Sequence, residues 1–235
     1  MLRLSSERYG WGSTCWLGRT VPVGGTTGPN PPGRARRARR ALGDGGAYAP
    51  GVLTLHHDIT SPRSALAVLR VQRLADAGHA VAFRGIDVLG VAVALPVTLD
   101  QLVELEQVAE PAAAHGLVMR RPSLRPPTLD AHLVGEHAER MGLGAAWRLA
   151  CLRAYFTDGV DVSDHDVLTA IAEGVGLERS AVLRTLADAA ARNELRAAML
   201  ARRALGIGGA PILEVDGTLL HADVDDATLE ELARV

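Results

Sequence analysis

Gly206-Ile207-Gly208-Gly209-Ala210-Pro211-Ile212-Leu213-Glu214-Val215-Asp216-Gly217-Thr218-Leu219-Leu220 sets the architecture of this 235-residue chain. A flexible glycine run leads to a proline, and the proline opens a short apolar strand. Proline has no backbone N–H, so it belongs at the first residue of a strand or on an edge. Ala210-Pro211 is also a place where a cis peptide bond is expected, because such bonds are almost confined to proline. Asp216-Gly217 is a tight-turn pair. Ile212–Val215 and Thr218–Leu220 therefore read as a hairpin whose leading strand starts at Pro211.

Upstream, the alternation of Val52-Leu53-Thr54-Leu55-His56-His57 predicts a strand. Ser61 is a good N-cap and Pro62 suits the first helical position. A helix is expected through Ala65, Leu66, Leu69, Val71 and Leu74, stopped by Gly78. His79–Asp87 reads as a second strand, so the crossover should be right-handed and the two strands parallel. Helices then follow over Leu99–His115 behind Thr98, Leu129–Met141, Ala145–Phe156, Asp164–Ala172 behind Ser163, Ser180–Ala190, and Glu194–Leu205 behind Asn193. Residues 117–127 are irregular and proline-rich, and an acidic helix over Asp225–Arg234 ends the chain. The order is β-α-β, a large all-helical insertion at about 98–205, then β-β-α. The fold class is α/β.

Hydrophobic residues make up 48% of the chain, enough for a sizeable core, and the net charge of −2 argues against a nucleic-acid partner. Two cysteines, Cys15 and Cys151, stand far apart in dissimilar contexts. They form neither a disulfide framework nor a metal site, which suits a reducing cytoplasm. No apolar run approaches the ~20 residues of a membrane span. Residues 1–50 are a series of Gly/Pro breakers around Arg34-Ala35-Arg36-Arg37-Ala38-Arg39-Arg40 and are expected to be a disordered leader; residues 51–235 form the folded domain.

The helical segment Ala150-Cys151-Leu152-Arg153-Ala154-Tyr155-Phe156-Thr157-Asp158-Gly159-Val160-Asp161-Val162-Ser163-Asp164, together with Ala204–Pro211, resembles the DsbA-like thioredoxin superfamily. The likeness is to its cytosolic branch of FrnE-type oxidoreductases, and Thr128-Leu129-Asp130-Ala131-His132 is similar to a stretch of that branch. The resemblance implies a thioredoxin-like fold over roughly residues 52–235. It departs at the chemical centre. Active members carry Cys-Pro-x-Cys where this chain reads Ser61-Pro62-Arg63-Ser64. A dithiol works because a thiolate at a helix N-terminus attacks a disulfide and a second thiol resolves the mixed species. A serine hydroxyl is not ionised near neutrality and does not cycle between oxidation states. Cys151, in an apolar helix, reads as a buried small hydrophobe.

Asp58-Ile59-Thr60-Ser61-Pro62-Arg63-Ser64 is similar to the same place in 2-hydroxychromene-2-carboxylate isomerases and kappa-class glutathione transferases. That resemblance implies a bound low-molecular-weight thiol such as glutathione or mycothiol, with no covalently attached cofactor. Ser61 would meet the sulfur, Ser64 would be a cap or second donor, and Arg63 would hold a carboxylate. Ala210 and Pro211 would offer backbone groups to an extended ligand. A plain N-cap is an equal reading of Ser61. His57, at the end of the first strand, is a candidate base or ligand contact. Adjacent strand residues face opposite sides, so one of His56 and His57 is expected buried and the other solvated. His221 and Asp223 follow the hairpin towards the rim of the site. Three functions follow: a thiol-dependent isomerase or transferase, a catalytically silent module holding a peptide or partner beside Pro211, or a disulfide oxidoreductase in family name only. Relatives pair, so a homodimer is expected.

Overall fold

The computed structural model describes residues 51–207 and 209–234. The expected leader over residues 1–50, with Cys15, lies outside the described residues. Strand β1 (Leu53–His57) is central, and all five of its residues are buried. Ser61 then caps helix α1 (Pro62–Asp76), which returns the chain to β2 (Val81–Gly85). β2 runs parallel to β1, with Leu53 opposite Val81 and His57 opposite Gly85. On the other side of β1 lies β5 (Ile212–Val215), antiparallel, with Thr54 opposite Glu214. β6 (Thr218–His221) completes the order β2-β1-β5-β6. Between β5 and β6, Asp216 and Gly217 take φ of 48° and 78°. Two left-handed residues in a two-residue turn match the right-handed twist of the flanking strands. The Ala210–Pro211 peptide bond is cis.

Strand alternation sends Leu53, Leu55 and His57 to one face and Thr54 and His56 to the other. Leu53 and Leu55 pack with Leu213 and Val215, with Ala65, Val68 and Val71 of α1, and with Leu229 of the last helix α8 (Asp226–Leu232). Each such leucine or valine contributes about 1.5–3 kcal/mol when fully buried. This is the mixed α/β, thioredoxin-like core expected from the sequence.

Between β2 and β5 lie β3 (Leu95–Pro96), α2 (Leu99–Ala114), β4 (Leu124–Arg125), α3 (Leu129–Arg140), α4 (Gly144–Arg153), α5 (His165–Gly174), α6 (Arg179–Ala187) and α7 (Ala189–Ala204). One wide helical turn, Ala154–Asp158, extends α4. The helices share the core of the sheet, since Trp147, Leu152 and Phe156 belong to the same apolar cluster as Leu55. No helix among the described residues is long and apolar enough to cross a membrane.

Three local expectations change. Helix α5 is capped by Asp164, not Ser163; its carboxylate accepts from the N–H groups of Asp166 and Val167 at 2.7 and 3.3 Å. Helix α7 starts at Ala189, capped by Asp188, so Asn193 lies inside it. The proline-rich stretch contains β4, which pairs antiparallel with β3.

Candidate functional site

The tip of α1 and the start of β5 meet because β1 and β5 are neighbours. Ser61 is an extended N-cap (φ −90°, ψ 122°), and Pro62 fills the first helical position, where a missing N–H costs nothing. The Ser61 hydroxyl accepts from the Ser64 N–H at 3.3 Å and donates to the Ala210 carbonyl at 3.5 Å. The second contact is at the long limit of a hydrogen bond, so little is lost when a better acceptor displaces it. Ser61 is 6% exposed and Ser64 is fully buried. The Ser64 hydroxyl accepts from the Asp58 N–H at 3.3 Å, which places it behind Ser61 in the turn that starts the helix.

Beside this junction opens a groove of about 520 Å³ lined by Arg63, Ala210, Pro211, Leu220, His221 and Asp223, among others. Arg63 is already engaged. Its guanidinium pairs with Asp223 at 2.5 Å and Glu104 at 3.5 Å and donates to the Gln107 side-chain oxygen at 3.0 Å. A ligand carboxylate at Arg63 therefore competes with two carboxylates of the protein. His221 and Asp223 both reach the groove, and Pro62 stays buried under the helix start.

His57 points elsewhere. It is 4% exposed and faces into the seam between the sheet and the insertion, edge-on to Phe83 (centroids 6.1 Å) and His132 (5.4 Å). Its side chain is therefore not brought to the groove. Burial, followed by the charges of His132 and Arg148, holds its pKa well below the ordinary value. His56 is buried too, at 0% exposed, and its Nε2 lies 3.0 Å from a Glu214 carboxylate oxygen. Both histidines are buried, contrary to the expectation of one solvated ring, because β1 is covered on both faces. Desolvation lowers the His56 pKa despite Glu214. Gly85 makes room for His132: a Cβ at residue 85 would fall 2.3 Å from His132 Nδ1.

Two residues hold the serine turn: Asp58, which opens the Asp58–Ser64 motif, and Arg125, which the sequence did not point to. Asp58, 1% exposed, accepts from the N–H and hydroxyl of Thr60 at 3.1 and 3.2 Å and from the Val88 N–H at 2.9 Å. Arg125 of β4 donates to Asp58 at 3.2 Å and to the Thr60 hydroxyl at 3.1 Å. The only sequence signal was an arginine in a proline-rich stretch, with its partner more than 60 residues away. Cys151 is fully buried, and desolvation pushes its thiol pKa far up, leaving it inert as a nucleophile. Among the described residues, no group of three His, Cys, Asp or Glu side chains could hold a metal ion.

Residues 52–233 match the DSBA-like thioredoxin domain family, and the chain belongs to it. Among solved structures it is similar to a probable DsbA oxidoreductase from Streptomyces coelicolor, at 23% identity and TM-score 0.67, covering 77% of this chain and 87% of that one. It is also similar to 2-hydroxychromene-2-carboxylate isomerase (20% identity, TM-score 0.61, 77% and 92% covered). A third neighbour is the cytosolic disulfide reductase DsbM of Pseudomonas aeruginosa with GSH (17% identity, TM-score 0.57, 78% and 100% covered). Among curated proteins, no relative matches the chain.

Proposed function

We propose that this protein binds a low-molecular-weight thiol or thiol conjugate in the groove beside Pro211 and acts in the manner of an isomerase or transferase. Ser61 is the partner of the sulfur. The observation that carries the reading is the Ser61–Ala210 contact, which brings a hydroxyl donor and a helix N-terminus to the edge of a 520 Å³ groove. A hydroxyl donor and the positive end of the α1 helix dipole stabilise a thiolate, whose proton leaves to solvent. The backbone of Ala210 lies next to the same hydroxyl and would pair with an extended ligand. Dithiol exchange is not part of the proposal, since serines stand at residues 61 and 64 and Cys151 is sealed in the core. A cytoplasmic location suits this chemistry, as does the cytosolic setting in the name of one neighbour. Pairing into a homodimer is part of the same reading, with no attached cofactor.

The second reading is a silent module that holds a peptide in the same groove. It is favoured by the internal use of the Ser61 hydroxyl and the burial of Ser64. Thermal unfolding with glutathione and with mycothiol separates the two. A thiol at 100 times its Kd adds about 2.7 kcal/mol to stability. A shift with one thiol, together with conjugation or isomerisation of an electrophile, supports the enzyme. No shift with either thiol rules it out in favour of the module.

A further inference from the structure

A second cavity, of about 590 Å³, opens between the loop that follows β2 and helix α7. Its volume lies within the range of about 300–1,000 Å³ usual for small-ligand pockets. It shares no lining residue with the Pro211 groove. One wall is a single face of α7, where Arg192, Arg196, Met199, Leu200 and Arg203 line the cavity. Those positions follow the three- and four-residue spacing that aligns side chains on a helix. Leu129 and Met199 supply an apolar floor, and each is 8% exposed or less.

The two outer arginines are committed to the protein. Arg192 pairs with Asp130 at 2.7 Å and also donates to the Leu186 carbonyl. Arg203 donates to the carbonyls of Asp87 and Val88, the latter at 2.8 Å, and lies against Gly90. Gly90 has φ of +63°, and a Cβ there would meet Arg203 at 3.1 Å, so glycine is needed for this close approach. Between them along the helix, one turn on from Arg192, Arg196 is exposed and has no hydrogen bond or ion pair among the described residues. Of the cavity's acids, Asp130 is paired with Arg192 and lies 2.8 Å from His165 Nε2, and Asp87 is 8% exposed and accepts from the Gly90 N–H at 3.1 Å. Three arginines against two aspartates leave the lining with a net positive charge, and Arg196 is the one of the three without a protein partner among the described residues.

We propose that this cavity binds a small amphipathic organic anion, its carboxylate or sulfonate on Arg196 and its apolar body on Leu129, Met199 and Leu200. A guanidinium is suited to this task because its planar fork meets a carboxylate with two parallel hydrogen bonds. The Arg192 and Arg203 anchors hold the wall in place before a ligand arrives. The site stands apart from the thiol reading and does not depend on it.

The test is a fluorescence titration with 8-anilinonaphthalene-1-sulfonate, followed by displacement with 2-naphthoate. Saturable binding that naphthoate reverses is expected. Arg196→Ala should raise Kd about tenfold or more, the scale of one charge-assisted contact. Leu200→Glu sets a like charge beside the anion at an exposed position, 59% accessible, where folding does not depend on the leucine, and it should weaken binding to a similar degree. Ser61→Ala should leave the titration unchanged. Absence of saturable binding overturns the proposal, as does a Kd within twofold of the parent in both Arg196→Ala and Leu200→Glu. Loss of dye binding in Ser61→Ala would move the dye to the thiol groove and also overturn it. A null thiol shift has no bearing on these outcomes, so the two proposals fail separately.

Discussion

Ser61 is an N-cap in the structure and the sulfur partner in the proposed function, and one substitution tests both. As an N-cap it satisfies the Ser64 N–H, and losing such a cap to alanine costs about 1 kcal/mol. As a sulfur partner it supplies a donor to a bound thiolate, which alanine also removes. Ser61→Ala is therefore expected to lower the urea midpoint by an amount equivalent to about 1 kcal/mol and to abolish the thiol-induced thermal shift. Loss of stability with an unchanged thiol shift would leave Ser61 a cap alone. The residues of this site were partly legible in the sequence, because Ser61, Pro62 and Pro211 have geometries that are set locally. Asp58–Arg125 was not legible, since the pair joins residues 67 apart and neither belongs to a periodic pattern. His57 was misjudged as a site residue for a related reason. Strand alternation says that two neighbouring side chains part, but only the packed insertion decides that both are buried.

The same division between local and distant information holds for the elements. The proline-led hairpin and the β1-α1-β2 unit have start and stop signals within a few residues of each end, and both form over nearly the expected ranges. The caps of α5 and α7 were misplaced because Ser163 stands beside Asp164 and Asn193 lies near Asp188. Each pair offers two competent caps, and the helix direction set by packing selects one. The β3–β4 pair escaped detection because two-residue strands carry no alternation. Helix α2 holds a further element-scale property, Pro111 in its last turns. Proline there removes an i→i−4 hydrogen bond and crowds the preceding turn. Residue 111 is exposed, so alanine meets no neighbour in the core. Pro111→Ala is expected to stabilise the protein by about 1–3 kcal/mol, measured as a higher urea midpoint at unchanged m-value. A lower midpoint would show that the proline sets a bend on which α2 packing relies.

At the scale of the whole molecule, the sheet and the helical insertion are joined across a polar seam, and that seam should make the protein sensitive to acid. A small cavity of about 30 Å³ lies between them, lined by His57, Phe83, His132, Trp147 and Arg148. His57 Nδ1, His132 Nε2 and Arg148 Nε are buried without hydrogen-bond partners. Arg148 lies over the Phe83 ring at 3.6 Å, donates to Gln72 at 2.9 Å and pairs with Glu139, so the seam already holds one cation. Burial lowers the His132 pKa to about 4, with the charge of Asp58 raising it and that of Arg202 lowering it further. His57 is held well below 6.5 by burial and by its cationic neighbours. A base whose folded pKa is depressed is neutral in the native state, while the unfolded chain takes up its proton below about pH 6.5. The contribution of His132 is therefore fully present above about pH 6.5 and falls as the pH drops towards 4. Between pH 7.5 and pH 5 its loss amounts to about 2 kcal/mol, with His57 adding a loss of the same sign. Urea unfolding at the two pH values reads the loss directly. His132→Leu keeps an apolar side chain against Gly85 and removes one of the two protons, so it should shrink the difference in stability between pH 7.5 and pH 5 even if it lowers stability at both. An equal difference in the parent and in His132→Leu would mean that the acid response arises outside the seam. A smaller one would place the acid response in the buried histidines of the seam, which are kept neutral by their packing between the sheet and the insertion.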